Sequence, residues 1–386
     1  MQVSDFDFEL PPELIAQDPS PERTAARLLH LDRQTDSLAH TTVAALPERL
    51  RAGDLIVVNN TRVFPARLRG RRVPSGGAVE CLLIRRAGSD LIAAGSRPDR
   101  DLIATRSKGS DPFSALWEAL MHPGQKLRPG ARVVFEGLRT LHGEVLEQHF
   151  YGRRVIRLWT EDGSGVDEAI DAIGHVPLPP YIKRDDRQDD RDRYQTVFAR
   201  SRGSVAAPTA GLHFTPGLVR ALADRGVLLT EITLHVGYGT FQPVRVEHVE
   251  DHRLEPESYE IDTSAAATLN GALAEGRRVI AVGTTTTRTL EAVAAAHDGQ
   301  IVAGAGSTDL FVYPGFAFRV VSGLLTNFHL PRSSLLMLVA AFAGRPSTSS
   351  GGLGPVEGRD RVLNAYHAAI AERYRFYSYG DAMLIT

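Results

Sequence analysis

The sequence predicts an α/β protein whose α/β domain is interrupted by a small all-β module. Strand-like and helix-like patterns alternate in the C-terminal half, which is typical of a mainly parallel sheet with helices packed on it. Residues 78–159 instead contain short strands separated by glycine and proline, which is typical of a sandwich or barrel. Because an apolar β run at 54–59 precedes this module, α/β-like sequence stands on both sides of it.

The all-β module is predicted from short apolar runs and the turn signals between them. The turn signals are Pro-Ser-Gly-Gly at 74–77, Arg-Pro-Gly at 128–130 and Tyr-Gly at 151–152. We expect strands at 78–86, 91–95, 132–135, 141–146 and 153–159.

The α/β part is predicted from hydrophobic runs and from residues that begin and end helices. Thr215 followed by Pro216 predicts an N-cap with proline in the first turn, and Gly226 predicts the helix end. Residues 345–360 are rich in glycine, serine and proline, so we expect a mobile loop there. We expect strands at 54–59, 227–236 and 278–282, and helices at 217–225, 263–275, 287–296, 333–343 and 361–375.

Composition excludes several classes of protein. The chain has 386 residues, 43% of them hydrophobic and 23% charged, with a formal net charge of −2, so fibrous and disordered proteins are excluded. The single cysteine, Cys81, cannot form an intrachain disulfide and favours a reducing, cytoplasmic compartment. There is no run of 18 apolar residues and the first ten residues are acidic, so we expect neither a membrane span nor a secretory signal.

Basic residues are unevenly distributed. Only three of the 44 are lysines, which suits recognition of phosphates and bases but is equally explained by genomic composition. Residues 62–108 contain eleven Lys/Arg against four Asp/Glu. This excess is typical of a polyanion partner, or of a solvated face whose counter-charges the fold supplies.

Polar or glycine-rich clusters follow four predicted strands. In α/β folds, ligands bind beyond the carboxyl ends of strands, so together these clusters predict a ligand site. Helix capping or turn formation would explain any one of them alone. The four clusters are at 59–62, 235–241, 283–288 and 326–329.

The loop at 283–288 has the pattern strand, Gly-Thr loop, helix. Free N–H groups and the positive end of a helix dipole make this a cradle for a phosphate or carboxylate. Alternatively, Thr286 or Thr287 only caps the helix. The P-loop pattern GxxxxGK[ST] is absent.

Other motif classes are not supported. No HExxH or CxxC pattern occurs, so we expect no metal site. Gly-rich segments lack the third glycine of a dinucleotide fingerprint, and GxSxG is absent, which disfavours nicotinamide enzymes and that class of hydrolase. The small residues of 203–214 allow close approach of a ligand, or simply tight packing.

Taken together, these motifs resemble a known family. The chain is similar to the S-adenosylmethionine:tRNA ribosyltransferase-isomerases of queuosine biosynthesis, and the resemblance runs nearly end to end. It rests on LIAQ at 14–17, NNTRV at 59–63, PLPPYI at 177–182, YQTV at 194–197, the segment 203–215, TLHVG at 233–237, TDLF at 308–311, LTNFHLP at 325–331 and YGDAML at 379–384.

The resemblance implies a barrel-like α/β catalytic domain, 1–66 and 160–386, interrupted by a small antiparallel β-barrel domain at 67–159. It implies a transferase that moves and isomerises the ribosyl moiety of S-adenosylmethionine onto 7-aminomethyl-7-deazaguanine at the tRNA wobble position. Epoxyqueuosine-tRNA forms, and adenine and methionine leave. S-adenosylmethionine is then a consumed co-substrate, and no bound cofactor, metal or protein partner is implied.

The chain departs from the family pattern at four places. Ala26 stands where the family usually has serine, and Thr286-Thr287 replaces a commoner Ser-Val. Residues 254–257 read Leu-Glu-Pro-Glu, where the family often has a second histidine within a Met-His-Ser-Glu run. This departure puts any catalytic role of that second histidine in doubt, whereas the glutamate of the run is present as Glu257. The 345–360 segment is longer than usual.

The implied reaction needs proton transfers. A primary amine has a pKa near that of lysine, about 10.4, and must lose a proton before it attacks. The family reaction is also held to begin by removing a proton beside the sulfonium, and departing adenine needs a proton. We expect His213 and His235 as the acid/base pair, with His329 and Asp381 also catalytic, although each histidine has the alternative of a structural hydrogen bond.

Substrate groups need matching partners. The methionine carboxylate suits the 283–288 loop, and the sulfonium suits carboxylate or aromatic groups. Asn327 and His329 would position polar groups of the substrate. The expected substrate-binding residues are Asn60, Arg62, Thr209, Gly237, Tyr238, Glu257, Gly283, Thr284, Thr285, Arg288 and Asn327.

We expect Arg69, Arg71 and Arg72 to bind tRNA that carries 7-aminomethyl-7-deazaguanine in its anticodon, with salt-dependent phosphate contacts.

Two other functions stay open. A S-adenosylmethionine-dependent tRNA methyltransferase usually has a glycine-rich loop followed by an acidic ribose ligand, which is not found. A non-catalytic RNA-binding protein does not explain four polar strand ends.

Overall fold

The computed structural model describes residues 1–87, 113–241, 244–344 and 355–386. Contacts group the chain into two compact units. The first comprises Met1–Arg62, Pro179–Asp185 and Asp192–Thr386, and the second comprises Val63–Leu178 and Asp186–Arg191. The predicted insert at 67–159 lies within the second unit, and its boundaries stay a prediction. The predicted strand at 91–95 lies outside the described residues.

The described part of the chain forms strands and helices that are numbered here in chain order. The strands are β1 (Arg27–Leu31), β2 (Leu38–Thr42), β3 (Leu55–Asn59), β4 (Thr61–Val63), β5 (Arg67–Val73), β6 (Ala78–Arg86), β7 (Ser114–His122), β8 (Arg132–Phe135), β9 (Leu141–Gln148), β10 (Arg153–Trp159), β11 (Ser201–Ser204), β12 (Leu228–Leu234), β13 (Glu257–Ile261), β14 (Val279–Val282), β15 (Gly304–Thr308), β16 (Gly323–Asn327) and β17 (Ala382–Ile385). The helices are α1 (Leu46–Arg49), α2 (Val166–Ile173), α3 (Asp190–Arg193), α4 (Pro216–Asp224), α5 (Thr263–Ala274), α6 (Thr284–Ala296), α7 (Ser334–Ala343) and α8 (Pro355–Ala371).

The first unit is built on a nine-stranded mixed sheet with the order β15-β13-β12-β3-β14-β16-β17-β1-β2. The central pairs β12–β3, β3–β14 and β14–β16 are parallel. Their outer neighbours β13 and β17 pair with them antiparallel. The expectation of a mainly parallel sheet therefore holds at the centre, whereas the outer part is mixed, with β1 and β17 parallel and β1 and β2 antiparallel. Outer strands such as β15 have few apolar residues, so they lack the apolar pattern of buried parallel strands.

The carboxyl ends of four strands meet at one edge of this sheet, which we call the carboxyl edge. β12, β3, β14 and β16 are neighbours and run parallel. The four polar clusters that follow them therefore gather at this edge, which confirms that part of the sequence analysis. β17 runs antiparallel to β16 and pairs Ala382 with Asn327, so Asp381 lies at the same edge.

Both faces of the central strands are buried. In β3, Leu55 and Val57 belong to one hydrophobic cluster, whereas Ile56 and Val58 belong to another. The first cluster includes residues of α5, α6, α7 and α8, and the second includes residues of α1 and α4. Helices on both faces explain why β3 and β14 read as continuous apolar runs.

The second unit contains a closed antiparallel barrel with the strand order β10-β7-β6-β5-β8-β9. Side chains that alternate along the strands fill its interior, and Leu68, Cys81, Val145 and Ile156 are fully buried there. Burial raises the pKa of the Cys81 thiol, so this cysteine stays protonated. With the sheet of the first unit, this barrel confirms the predicted fold class, an α/β protein interrupted by a small antiparallel β-barrel.

Several elements differ from the prediction. Strands β5 and β7 were missed because β5 is rich in arginine and β7 contains helix-favouring Ala, Leu and Glu. The helix predicted at 287–296 begins earlier, at Thr284. The N-cap prediction is confirmed, since the Thr215 hydroxyl accepts a hydrogen bond from the Leu218 amide at 3.1 Å.

The last long helix is also shifted. α8 spans Pro355–Ala371 rather than 361–375, so residues 355–360 are helical and the loop predicted there is wrong for them. Arg373 has a φ of 56°, a left-handed conformation that ends the helix. Residues 345–354 of the predicted loop lie outside the described residues. Among the helices described, none is both long and apolar enough to cross a membrane.

Asn59 joins β3 to β12 at the carboxyl edge. Its Nδ2 donates to the Leu234 carbonyl at 2.9 Å. Its Oδ1 accepts from the amides of Leu234 at 3.1 Å and Thr61 at 3.0 Å. The side chain is 2% exposed, so these backbone groups have no access to water as a replacement.

We expect Asn59→Leu to lower the free energy of unfolding by about 3 kcal/mol, because it leaves three buried backbone groups unpaired. Asn60→Ala is the control. It removes only the acceptor of the Thr233 hydroxyl, at 2.7 Å, and should cost about 1 kcal/mol. Urea unfolding measures both. Equal losses in the two variants would contradict this role of Asn59.

Candidate active site

A cleft opens at the carboxyl edge of the sheet. It encloses about 700 Å³ of empty space, part of which is open to solvent, and this is within the range of small-molecule sites. Its described lining residues come from three of the predicted clusters and from loops around Tyr181 and Tyr377. They are Tyr181, Ala206, Ala207, Pro208, Thr209, Ala210, Val236, Gly283, Thr284, Thr285, Thr326, Asn327, Phe328, His329, Leu330, Ser333, Leu335, Tyr377 and Ser378.

The described lining contains no Asp, Glu, Lys or Arg. Apart from His329, its titratable groups are tyrosines whose pKa values burial raises, that of Tyr181 to about 12 and that of Tyr377 further. These two rings lie 4.6 Å apart between centroids. The described lining is therefore uncharged and partly aromatic, so a ligand cation finds no carboxylate there to stabilise its charge.

The N-terminus of α6 faces this cleft. Gly283 precedes the helix with a φ of 92°, a conformation that favours glycine, and Thr284 and Thr285 form the first turn. The hydroxyls of Thr286 and Thr287 donate to carbonyls one turn back, at 2.8 and 3.2 Å, so neither caps the helix. The first-turn amides of this thirteen-residue helix thus provide an anion-binding position at the cleft wall.

His329 is the histidine in the described cleft lining. Its Nε2 lies 3.4 Å from the Thr326 hydroxyl, and the Tyr366 hydroxyl lies 3.5 Å from its Nδ1. Burial lowers the pKa of His329 to about 3, so its imidazole is neutral at neutral pH. A neutral imidazole next to a hydroxyl can take up or pass on a proton.

His213 lies behind the cleft wall, bound to Asn327. The Asn327 Nδ2 donates to the carbonyls of Tyr377 at 3.2 Å and Asp381 at 3.4 Å, and it lies 3.2 Å from His213 Nε2. These carbonyls fix the amide with its nitrogen toward His213, so Nε2 can pair with it only as an acceptor. Burial, followed by Arg375 and Arg23, lowers the pKa of His213 to about 4.

His235 is half-buried and follows directly after the end of β12. Its Nδ1 is 2.8 Å from the Thr61 hydroxyl oxygen, which lies 3.0 Å from the Ser204 hydroxyl oxygen. Gly203 packs against the ring so closely that a Cβ there would lie 2.7 Å from it. Burial lowers the pKa of His235. The structure thus does not place the predicted pair His213 and His235 together in the described cleft lining, and their catalytic roles stay predictions.

Two of the predicted carboxylates are bound by the protein itself. Asp381 accepts hydrogen bonds from the backbone amides of Arg27 at 2.9 Å and Arg375 at 2.7 Å. Glu257 forms a buried ion pair with Arg288 and accepts from the Gly237 amide at 2.8 Å. In this arrangement Asp381, Glu257, Arg288 and Gly237 organise backbone around the carboxyl edge.

The other predicted site residues are divided between the cleft and its surroundings. Thr209, Gly283, Thr284, Thr285 and Asn327 line the cleft. The Asn60 side chain accepts from Thr233, Tyr238 is half-buried in a short 3₁₀ turn, and Arg62 is exposed. Among the described residues, no group of three or more His, Cys, Asp or Glu side chains is arranged to hold a metal ion.

The arginines of the barrel are largely paired with carboxylates. Of the predicted tRNA-binding residues, Arg71 forms a two-point pair with Glu136 at 2.8 and 2.9 Å, Arg69 is exposed and Arg72 is half-buried. Within the described part of 62–108, Arg67, Arg85 and Arg86 also have carboxylate partners, namely Glu80, Glu118 and Asp167. The fold therefore supplies many counter-charges to this segment, whose residues 88–108 lie outside the described residues.

Sequence analysis missed the aromatic part of the cleft. Tyr181 occurs in the PLPPYI segment that carried the resemblance, so a signal was present. Tyr377 and Ser378 carried no such signal, because they lie in a loop that only folding brings to the cleft. Ser378 is held by a 2.5 Å contact between its hydroxyl and that of Tyr181.

Comparison with known proteins defines the class to which the chain belongs. A model of the family described as queuosine biosynthesis protein matches residues 3–385. The chain is a member of this family, which confirms the resemblance and the expectation that it is a transferase of this kind.

Individual relatives are similar in sequence to this chain over their full lengths. The chain is 46% identical over 387 residues to the S-adenosylmethionine:tRNA ribosyltransferase-isomerase of Desulfitobacterium hafniense and 47% identical over 387 residues to that of Symbiobacterium thermophilum, with 100% of each chain covered. It is also similar to the crystal structure of S-adenosylmethionine tRNA ribosyltransferase from Thermotoga maritima. That match has a TM-score of 0.51 and 34% identity, and covers 99% of this chain and 100% of that chain.

The neutral state of His213 predicts a pH dependence. Its pKa is about 4 in the folded protein and about 6.5 when unfolded, so between these values the unfolded state binds the extra proton. His213 should therefore cost no stability above about pH 6.5 and roughly 3 kcal/mol by pH 4. We expect His213→Gln to reduce the loss of unfolding free energy on acidification, measured by urea unfolding from pH 7 to pH 4.5.

The matched control is His297→Gln, because His297 is exposed. It should retain the wild-type dependence on pH. Identical acid-induced losses in His213→Gln and wild type would show that His213 is not held neutral in the folded protein.

Proposed function

We propose that the protein transfers and isomerises the ribosyl moiety of S-adenosylmethionine onto 7-aminomethyl-7-deazaguanine at the wobble position of tRNA. The products are epoxyqueuosine-tRNA, adenine and methionine. The observation that carries this proposal is the uncharged cleft at the carboxyl edge, with the α6 N-terminus in its wall, in a chain of this family. The names of full-length relatives support the same reaction class.

The cleft suits S-adenosylmethionine in size and in chemistry. Its carboxylate would bind the first-turn amides at Thr284 and Thr285, where a helix N-terminus favours an anion. The sulfonium would lie against the rings of Tyr181 and Tyr377, whose faces attract cations. No lysine or arginine in the described lining repels this cation.

An uncharged cleft also favours the chemistry. The sulfonium is a cation, and poor solvation makes any step that removes its charge more favourable. Loss of a proton from the carbon beside the sulfonium is such a step. When methionine is released, its sulfur is a neutral thioether, so the positive charge of the sulfonium is lost permanently. If the attacking amine is neutral, the overall reaction therefore releases one proton in addition to adenine and methionine.

His329 is our candidate for the proton transfers in the cleft. The low solvation that keeps His329 neutral also lowers the pKa of a bound alkylammonium, which favours the neutral, nucleophilic form of the amine. His213 would instead act through Asn327, by fixing the amide that lines the cleft.

Turnover by the purified protein tests the proposed function. Given S-adenosylmethionine and tRNA carrying the aminomethyl-deazaguanine, we expect adenine and methionine in equal amounts, followed by chromatography. Mass spectrometry of the digested tRNA should show a ribosyl-type gain on the wobble base. S-adenosylhomocysteine and a methyl gain would mean a methyltransferase, and tRNA binding without turnover would mean a non-catalytic RNA-binding protein. Either result contradicts the proposal.

Single-turnover rates separate the two histidines. We expect His329→Gln to slow the chemical step about 100-fold or more, because it removes a proton-transfer group from the cleft. His213→Gln keeps a hydrogen-bond acceptor for Asn327 and should slow the step much less. A wild-type rate in His329→Gln, or a larger loss in His213→Gln, would reverse the assignment.

A further inference from the structure

A second pocket lies beside the cleft in the first unit. It encloses about 290 Å³ of empty space, including some open to solvent, and Ser378 lines both this pocket and the cleft. Arg23, Arg193 and His213 also line it. We propose that this pocket, the arginine pocket, binds a phosphate group of the tRNA backbone beside the wobble nucleotide. The proposal rests on the proposed function.

Arg23 is oriented by backbone groups alone. Its guanidinium donates to the carbonyl oxygens of Gln195 and Leu212, each at 2.9 Å, and of Asp192 at 3.1 Å. In the described structure no carboxylate oxygen lies within the 4.0 Å of an ion pair. Carbonyl groups fix the position of this side chain, but they do not neutralise its charge.

Arg193 and Arg375 show the same pattern. Arg193 donates to the carbonyls of Pro21, at 3.1 Å, and Ser20, which lines the pocket. Arg375 donates to the carbonyl of Tyr379, another lining residue, at 3.1 Å. Neither arginine has a carboxylate within ion-pair distance among the residues described.

The pocket therefore combines spare hydrogen-bond donors with positive charge. A guanidinium has five N–H groups, of which Arg193 uses two, and its Nε has no acceptor in the described structure. The field of these cations reaches neighbouring groups. After burial, Arg193 is the largest influence that lowers the pKa of Arg23, and Arg375 and Arg23 lower that of His213.

This arrangement contrasts with the barrel, where Arg71, Arg85 and Arg86 are paired with carboxylates. Paired arginines attract a polyanion weakly, because the carboxylate already compensates the charge. Arg23 and Arg193, the two arginines that line the pocket, keep their charge and are already held in place by backbone carbonyls. Guanidinium groups of this kind match the geometry of phosphate oxygens.

The position also fits a nucleotide substrate. The pocket and the cleft share Ser378, and His213 in the pocket is bound to Asn327 in the cleft. A base that enters the cleft would therefore bring its backbone close to the pocket. Phosphate contacts of this kind fix the register of a nucleic acid and make its affinity dependent on salt.

Arg193→Gln and Arg23→Gln test the proposal, since each removes the charge of a guanidinium that lines the pocket but keeps a side-chain donor. We expect tRNA affinity to fall about 5- to 10-fold in each. The slope of log affinity against log salt concentration should become shallower by about 0.7, the value for one single-strand phosphate. Affinity for S-adenosylmethionine alone, measured by calorimetry, should not change.

Arg277→Gln is the matched control. Arg277 pairs with Glu275 at 2.8 Å and precedes β14, so it lies at the edge of the sheet opposite the cleft. Its removal changes the net charge by the same amount and should leave the salt slope unchanged.

Inorganic phosphate provides a test on the wild-type protein, in case a variant does not fold. At constant ionic strength, phosphate should compete with tRNA more strongly than chloride does. Equal competition by the two salts would overturn the proposal, as would a wild-type salt slope in both folded variants. Phosphate binding to wild type, detected by phosphorus NMR, with unchanged tRNA slopes in the variants would mean a site for the free ion only, which also overturns it. If wild type and variants show the expected salt slopes for tRNA binding but wild type does not turn over, the proposed function is contradicted. The proposed phosphate site in the arginine pocket is then still supported.

Discussion

The parallel pairing of β12, β3, β14 and β16 is the constraint on which the rest of the site depends. Parallel neighbours end at the same edge, so four polar segments that are far apart in sequence meet there. Asn59 strengthens this edge, because its side chain pairs with the backbone of Leu234, the last residue of β12. The position of the α6 N-terminus at the cleft follows from the same geometry, since α6 begins directly after β14.

Desolvation is the second physical theme of the site. The cleft lining that is described has no charged side chain, and His329 and His213 are both neutral because burial disfavours imidazolium. The charged side chains near the carboxyl edge lie outside the described cleft lining. Glu257 pairs there with Arg288, and Asp381 binds backbone amides. A cationic substrate placed in this cleft gains most from steps that discharge it.

Much of this organisation could be predicted from the sequence. A local sequence pattern marks each of three features: the buried run of β3, the Gly-Thr start of α6 and the Thr-Asn-Phe-His segment at the end of β16. In α/β folds the carboxyl ends of parallel strands lie at the same edge of the sheet, so these features were expected to lie together. Which histidine faces the cleft could not be predicted, because it depends on how 209–213 and 326–329 pack. The carboxylate partners of Arg71 and Arg86 were equally hidden, since Glu136 and Asp167 are distant in sequence.

The central claim is that S-adenosylmethionine binds in the cleft at the carboxyl edge. A crystal structure of the protein with S-adenosylmethionine, in the absence of tRNA, tests it most directly. We predict that the methionine carboxylate lies within hydrogen-bond distance of the Thr284 and Thr285 amides, with the sulfonium beside Tyr181 and Tyr377. Density for the ligand outside the cleft, with the α6 N-terminus free, would contradict the account.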